Sequence, residues 1–255
     1  MRNKKFTNTV ILLSLFLFSA QCKTLFSSFK YETNYFSSDF ECNPNPGLSN
    51  ESIFKDYLGS IWLPIRFIYQ ADNEKIKKAK TVIVGNSLVQ LFTPDLMEKE
   101  FPSKGIVNRG IGGDMTETLL LRIEDDVLVL QPQNIIIEIG GNDMIFGKCH
   151  SFSQKNVHSI IAKIRSKLPG TKIIFLAVPP TDIPNLNAIV PIFNIFLASL
   201  PKQYSNLHYL ETWTEMKDTD LPTIRRDLLR EGLKDKLHFN EKGYSIWGKL
   251  LRPLL

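Results

Sequence analysis

The sequence predicts an α/β domain: a parallel sheet covered on both faces by helices. Three observations carry this. Short, β-branched apolar runs recur from residue 81 onward. Stretches with apolar residues at helical spacing lie between them. Asn, Gly and Pro punctuate the joins.

Thr81-Val82-Ile83-Val84 has the unbroken apolar character of a strand buried on both faces. A helical stretch follows through Leu88, Leu91, Leu96 and Met97. Ile106-Val107-Asn108 is a weaker second strand. From Thr118 to Leu130 the apolar residues at 119, 120, 123, 127 and 130 predict a helix, which Pro132 closes. Asn134 to Ile139 is the strongest strand. An amphipathic helix is predicted from Val157 to Leu168, ended by Pro169-Gly170. Lys172 to Val178 is a fourth strand and Leu207 to Leu210 a fifth. Between them lies a helix from Ile189 to Leu200, interrupted near its start by Pro191. Gly243 to Leu251 is the closing helix. In such a sheet, ligand sites lie beyond the carboxyl ends of the strands. Ser87 follows the first strand, Gly113 the second and Asn142 the third, so all three fall on one edge.

The N-terminal part reads differently. Arg2, Lys4 and Lys5 precede an apolar run from Val10 to Phe18, and Ser19-Ala20-Gln21 leads to Cys22. This is the pattern of an export signal over residues 1–21, with a run too short for a comfortable membrane span. An uncleaved anchor is the alternative. Leu17 to Cys22 resembles a relaxed lipobox, so Cys22 is the expected site of lipidation, and a diacylated cysteine would tether the chain to a membrane. The chain is therefore expected to be exported, as an envelope lipoprotein or a secreted protein. Residues 22–79 read as a tether and a helical extension, and residues 80–255 as the main domain. Ser49 or Asn50 caps the extension helix, and Pro64 limits its continuity. An exported compartment permits a disulfide between Cys42 and Cys149, although Cys149 could equally be a free thiol near the Asn142 loop. Net charge is +5, and the three basic residues of the signal leave +2 for the rest. That is too little to point to nucleic acid or a strongly anionic partner. Arg109 and Lys148 are read as surface charge, with an anionic head group as the sharper alternative.

Four segments carry the chemistry. Ser87 in Gly85-Asn86-Ser87-Leu88 sits on a tight strand-to-helix turn, which exposes its hydroxyl and aims free helix N–H groups at the same point. Gly112-Gly113 offers backbone N–H without a Cβ in the way. Asn142 in Gly140-Gly141-Asn142-Asp143 is an uncharged donor for a developing oxyanion. Asp143 is read as holding the loop. In Asp235-x-x-His238, the spacing lets the carboxylate reach Nδ1 and leaves Nε2 free to face Ser87. Of the four histidines, His208 lies in a strand and His158 on a helix face. His150 has no carboxylate at useful spacing, so His238 is the best base.

Four stretches together resemble the SGNH (GDSL-type) hydrolase superfamily, in the branch with platelet-activating-factor acetylhydrolase catalytic subunits and bacterial esterases. They are Val84 to Leu91, Asn108 to Asp114, Glu138 to Asp143, and Leu237 to Tyr244. The likeness covers about residues 80–255. It implies a flavodoxin-like three-layer α/β/α sandwich with a five-stranded parallel sheet. It also implies Ser87 as nucleophile, His238 as base and Asp235 as its orienting acid. The oxyanion donors it implies are the Ser87 N–H, the Gly113 N–H and the Asn142 side chain. Gly113 is the matching glycine because it directly precedes Asp114. No metal or organic cofactor is implied. Asn86 stands where the family usually has Asp, which removes a charge beside Ser87. The expected activity is hydrolysis of carboxylic esters, of lipid or acylated carbohydrate, with short acyl groups implied by the branch. A carbohydrate O-acetylesterase or O-acyltransferase is the alternative, followed by a non-catalytic surface lipoprotein.

Overall fold

The computed structural model describes residues 34–48 and 50–255. The signal segment 1–21, Cys22 and Ser49 lie outside the described residues.

Five parallel strands form one sheet: β1 (Thr81–Gly85), β2 (Val107–Gly110), β3 (Asn134–Glu138), β4 (Lys172–Leu176) and β5 (Leu207–Leu210), in the order β2-β1-β3-β4-β5. That is the flavodoxin-like order, with its switch point between β1 and β3. Residue alternation sorts the strand side chains into two cores. Val82, Val84, Ile135, Ile137, Ile173 and Phe175 face one side, and Ile83, Ile136, Ile174 and Leu176 face the other. Every one of them is 1% exposed or less. Burying an aliphatic side chain of this size contributes roughly 1.5–3 kcal/mol, which is why these strands read as continuous apolar runs.

The helices are α1 (Glu51–Tyr57), α2 (Leu63–Ile76), α3 (Ser87–Gln90), α4 (Pro94–Glu100), α5 (Thr116–Asp126), α6 (Gly141–Ile145), α7 (His150–Lys167), α8 (Pro184–Ser199), α9 (Trp213–Met216) and α10 (Glu241–Leu251). The first core takes its helical cover from α5, α7 and α8, and the second from α3, α4 and α10.

Several boundaries differ from the sequence pattern, each for a local reason. Thr93 splits the first predicted helix, because its hydroxyl caps Leu96 N–H and opens α4. Helix α7 starts at His150 rather than Val157, directly after the bridged Cys149. Helix α8 starts at Pro184, where a missing N–H costs nothing, and it runs on through Pro191. In the extension, Asn50 caps α1 through Ile53 N–H. Pro64 does not end the helix. A π-helical turn over Leu58–Trp62 joins α1 to α2, and the wider turn accommodates the chain just before the proline.

The tether packs against the main body. Cys42 and Cys149 form a disulfide, so Cys149 is not a free thiol. Asn43 N–H donates to the Gly147 carbonyl at 2.8 Å, and Tyr35 hydroxyl to the Met144 carbonyl at 2.7 Å. Two charge assignments are corrected here. Lys148 is 1% exposed, and its ammonium donates to the carbonyls of Asn45 and Gly47. Arg109 is 2% exposed and is held by Asp72 and Asn73. Neither is surface charge and neither is available to an anionic head group. A buried cation is retained where it is fully paired, which a linear sequence does not reveal.

Candidate active site

The sheet register brings the motif loops side by side. Gly85 of β1 pairs with Gly110 of β2 and with Glu138 of β3. A Cβ on Gly85 would collide with the Glu138 carbonyl oxygen, so this strand end tolerates only glycine. Asn86 then turns the chain: its side-chain oxygen accepts Leu88 N–H at 2.9 Å and caps α3. Ser87 is thereby the first residue of a helix, with its hydroxyl half-buried at the sheet edge.

His238 arrives from the far end of the chain. Its loop is clamped by Arg230 N–H on the His238 carbonyl at 3.0 Å and by Asn240 N–H on the Leu228 carbonyl at 2.7 Å. His238 Nε2 lies 2.9 Å from Ser87 Oγ. Its Nδ1 lies 2.9 Å from Asp235 Oδ2 and 3.1 Å from Oδ1. Asp235 Oδ1 also accepts the backbone N–H groups of Leu237 and His238. Burial pushes the Asp235 carboxyl up, but its hydrogen bond and charge interaction with His238 and the two backbone donors outweigh this and hold it down at about 2. The carboxylate therefore stays ionised at neutral pH. This arrangement can fix the imidazole tautomer and leave Nε2 to take a proton from the serine.

Asn142 is 5% exposed, on the first turn of α6. One of its two amide N–H bonds goes to the Asp114 carbonyl, at 2.9 Å. Asp143 beside it accepts from Thr116 N–H, Thr116 hydroxyl and Ser153 hydroxyl, tying α6 to α5 and α7. Burial lifts its carboxyl to about 6 against those hydrogen bonds. It holds the loop, as its position in the sequence suggested.

Ser87, Asn142 and His238 line one small cavity of about 40 Å³, walled by Ile145, Val178, Pro179, Leu186 and Leu237. Gly113 does not line it. Gly113 has φ +82°, and a Cβ there would sit 2.8 Å from the Tyr57 ring, so the extension closes on it from behind. Its neighbour Asp114 is fully buried, held by Arg122 Nε at 2.9 Å and Nη2 at 2.7 Å. The other histidines lie elsewhere. His158 Nδ1 meets the Tyr204 hydroxyl, His150 sits between the rings of Tyr35 and Phe193, and His208 is in β5.

Glu138 lines the same cavity and received no role from the sequence. It is fully buried, and burial lifts its carboxyl to about 8, with the Asn86 amide opposing the rise. The Asn86 amide is its polar neighbour, but no hydrogen bond of full geometry reaches either oxygen among the described residues. The available signal was a charged residue at the end of an otherwise apolar strand.

Comparison with known proteins gives the family and the fold. The profile of the GDSL-like lipase/acylhydrolase family matches residues 84–246. Platelet-activating factor acetylhydrolase IB subunit alpha1 of Rattus norvegicus is 25% identical over 202 residues, covering 76% of this chain and 82% of the relative. A GDSL-like lipase from Bacteroides thetaiotaomicron superposes with a TM-score of 0.63 at 20% identity, covering 74% of this chain and 96% of its own. A catalytic mutant of Axe2, an acetylxylan esterase from Geobacillus stearothermophilus, superposes with a TM-score of 0.54 at 17% identity, covering 68% and 93%. The family match spans all three motif loops and His238, so the chain belongs to the GDSL-like lipase/acylhydrolase family and is a carboxylic ester hydrolase.

Proposed function

We propose that Ser87, His238 and Asp235 act as a triad that hydrolyses short-chain acyl esters through an acyl-enzyme. The observation that carries this is the unbroken hydrogen-bonded row from Asp235 through His238 to Ser87 at the mouth of an apolar cavity. Ser87 Oγ attacks the ester carbonyl carbon as His238 Nε2 takes the hydroxyl proton. The carbonyl oxygen gains the negative charge, and the Ser87 N–H and the second amide N–H of Asn142, both on the cavity wall, stabilise it; the Gly113 N–H expected from the resemblance lies outside that wall and is left out of the step. When the tetrahedral species collapses, the C–O bond to the alcohol breaks and His238 returns the proton to the departing alkoxide. Water then enters by the same route in reverse roles: His238 deprotonates it, it attacks the acyl carbon, and Ser87 leaves with the proton. Asp235 stays ionised throughout and supports the imidazolium.

The small apolar pocket supports an acyl group of acetyl size, with Ile145, Leu186 and Leu237 in its wall. Hydrolysis of p-nitrophenyl esters from acetyl to palmitoyl tests this. Acetyl and butyryl esters are expected to be the fastest, with kcat/KM falling more than about tenfold at palmitoyl. A maximum at long chains would reject the short-acyl reading, and deacetylation of polysaccharide in place of the chromogenic esters would move the substrate to acylated carbohydrate.

Export and lipid anchoring at Cys22 complete the proposal. The n-region, apolar run and cysteine of the sequence support it, and the Cys42–Cys149 bridge fits an oxidising compartment. A palmitate analogue fed to expressing cells is expected to label the chain, with labelling lost in Cys22→Ala. Equal labelling of both would exclude Cys22 as the anchor.

A further inference from the structure

The helical extension stands outside the family match, yet it holds the loop that follows β2 almost residue by residue. Asn73 and Asp72 grip Arg109, with Arg109 Nη2 2.8 Å from Asp72 Oδ2. Tyr69 hydroxyl donates to the Gly110 carbonyl. Ile111 is buried in a cluster with Tyr57, Ile61, Trp62 and Ile65. Tyr57 lies against Gly113. Trp62 indole N–H donates to Asp114 Oδ1 at 3.2 Å.

This grip extends into the cavity. The Asp114 backbone carbonyl accepts the Asn142 amide at 2.9 Å. Wherever Asp114 sits, the Asn142 amide is turned to follow it. Arg122 bonds Oδ2 of Asp114 and Trp62 bonds Oδ1, with the Thr118 hydroxyl also on the carboxylate. A surface loop is ordinarily the mobile part of a fold. An oxyanion donor acts only when it is held within about half an ångström of its productive position.

We propose that the segment 51–76 is a positioning element of the active site, in which Trp62 fixes Asp114 and thereby aims the Asn142 amide at the reacting carbonyl oxygen. This rests on the oxyanion role proposed above for Asn142. Trp62 touches no substrate; it is a positioning residue acting through two others.

The test is a double-mutant cycle on the full mature chain, read as kcat and KM on p-nitrophenyl acetate and, in parallel, as the rate of Ser87 labelling by a fluorophosphonate. Trp62→Phe keeps an aromatic ring in the cluster but removes the indole N–H together with part of the ring volume, so a packing control is run beside it. It is expected to lower kcat about tenfold with KM unchanged, and to have no further effect in an Asn142→Ala background. Ile65→Val, in the same apolar cluster but without a bond to Asp114, controls for packing and is expected to leave kcat at the wild-type level. An equal loss from Trp62→Phe in both backgrounds, a change in KM alone, or a wild-type kcat would overturn the proposal. So would an equal loss in Ile65→Val, which reads as general loosening. Should Asn142→Ala itself keep the wild-type kcat, the oxyanion role of Asn142 fails and this inference falls with it. Should Asn142→Ala be slow while Trp62→Phe is additive, only the positioning role fails.

Discussion

Ser87→Ala is expected to reduce kcat on p-nitrophenyl acetate by about 10⁴–10⁶ while KM and the melting temperature change little. The size follows from what the hydroxyl does in the proposed mechanism. It lies 2.9 Å from His238 Nε2, and removing it leaves binding and oxyanion donors without a nucleophile. Stability is spared because the side chain is half-buried and its hydrogen bond is to a ring that Asp235 holds anyway. Asp235→Asn provides the graded companion. The amide turns the imidazole to the wrong tautomer, and a loss of about 10⁴ in kcat is expected, with the nucleophile still present. The measurement is steady-state kinetics on both variants beside the wild type, with fluorophosphonate labelling mapped by peptide mass. Full activity in Ser87→Ala, or label on a peptide without Ser87, would end the serine mechanism proposed here.

Glu138→Gln is expected to stabilise the protein in a strongly pH-dependent way. The carboxyl titrates near 4.5 when free and is lifted to about 8 in the fold by burial, against the pull of the Asn86 amide. Between those two values the folded chain keeps the proton and the unfolded chain releases it. Unfolding therefore sheds a proton, and stability falls as pH rises, by about 1.4 kcal/mol per pH unit. The contribution is fully present below pH 4.5 and is lost by about pH 8. Glutamine has nearly the same shape and no titration. The melting temperature of Glu138→Gln relative to wild type is thus expected to rise by about 7–15 °C between pH 5 and pH 8. Activity should report the same group. Ionised Glu138 shares the cavity with Ser87 and Asn142, where a second negative charge opposes the developing oxyanion. A fall of kcat near pH 8 in the wild type, missing in Glu138→Gln, is the expected profile. A melting difference that does not vary with pH would show that the carboxyl is not held protonated.

The chain shows unevenly how much a sequence discloses. Strand runs such as Asn134 to Ile139 are legible because burial on both faces leaves no polar position to confuse the period. The start of α7 is not, because Ser151, Gln154 and Lys155 face outward and the apolar stripe becomes visible only at Val157. Pro64 and Pro191 were poor guides for the opposite reason: a π turn and a preformed helix absorb them. The motif loops were legible because each stands directly after a strand. Arg109 and Lys148 looked like surface charge because their partners lie 36 and 101 residues away in the chain.

By itself the sequence determined the alternation of strands and helices and the sheet edge that carries the motifs, and it singled out Ser87, Asn142, Asp235 and His238 as the candidate set. Those are local properties: apolar period, turn chemistry, and residue type at short spacing. Tertiary structure alone decided the rest. It brought His238 to Ser87 across 151 residues, joined Cys42 to Cys149, buried the Glu138 carboxyl beside the serine, and set the extension against the Gly113–Asp114 loop. Each of these depends on which distant segments exclude water from one another, and desolvation and long-range pairing are properties of the folded packing rather than of any stretch of the chain.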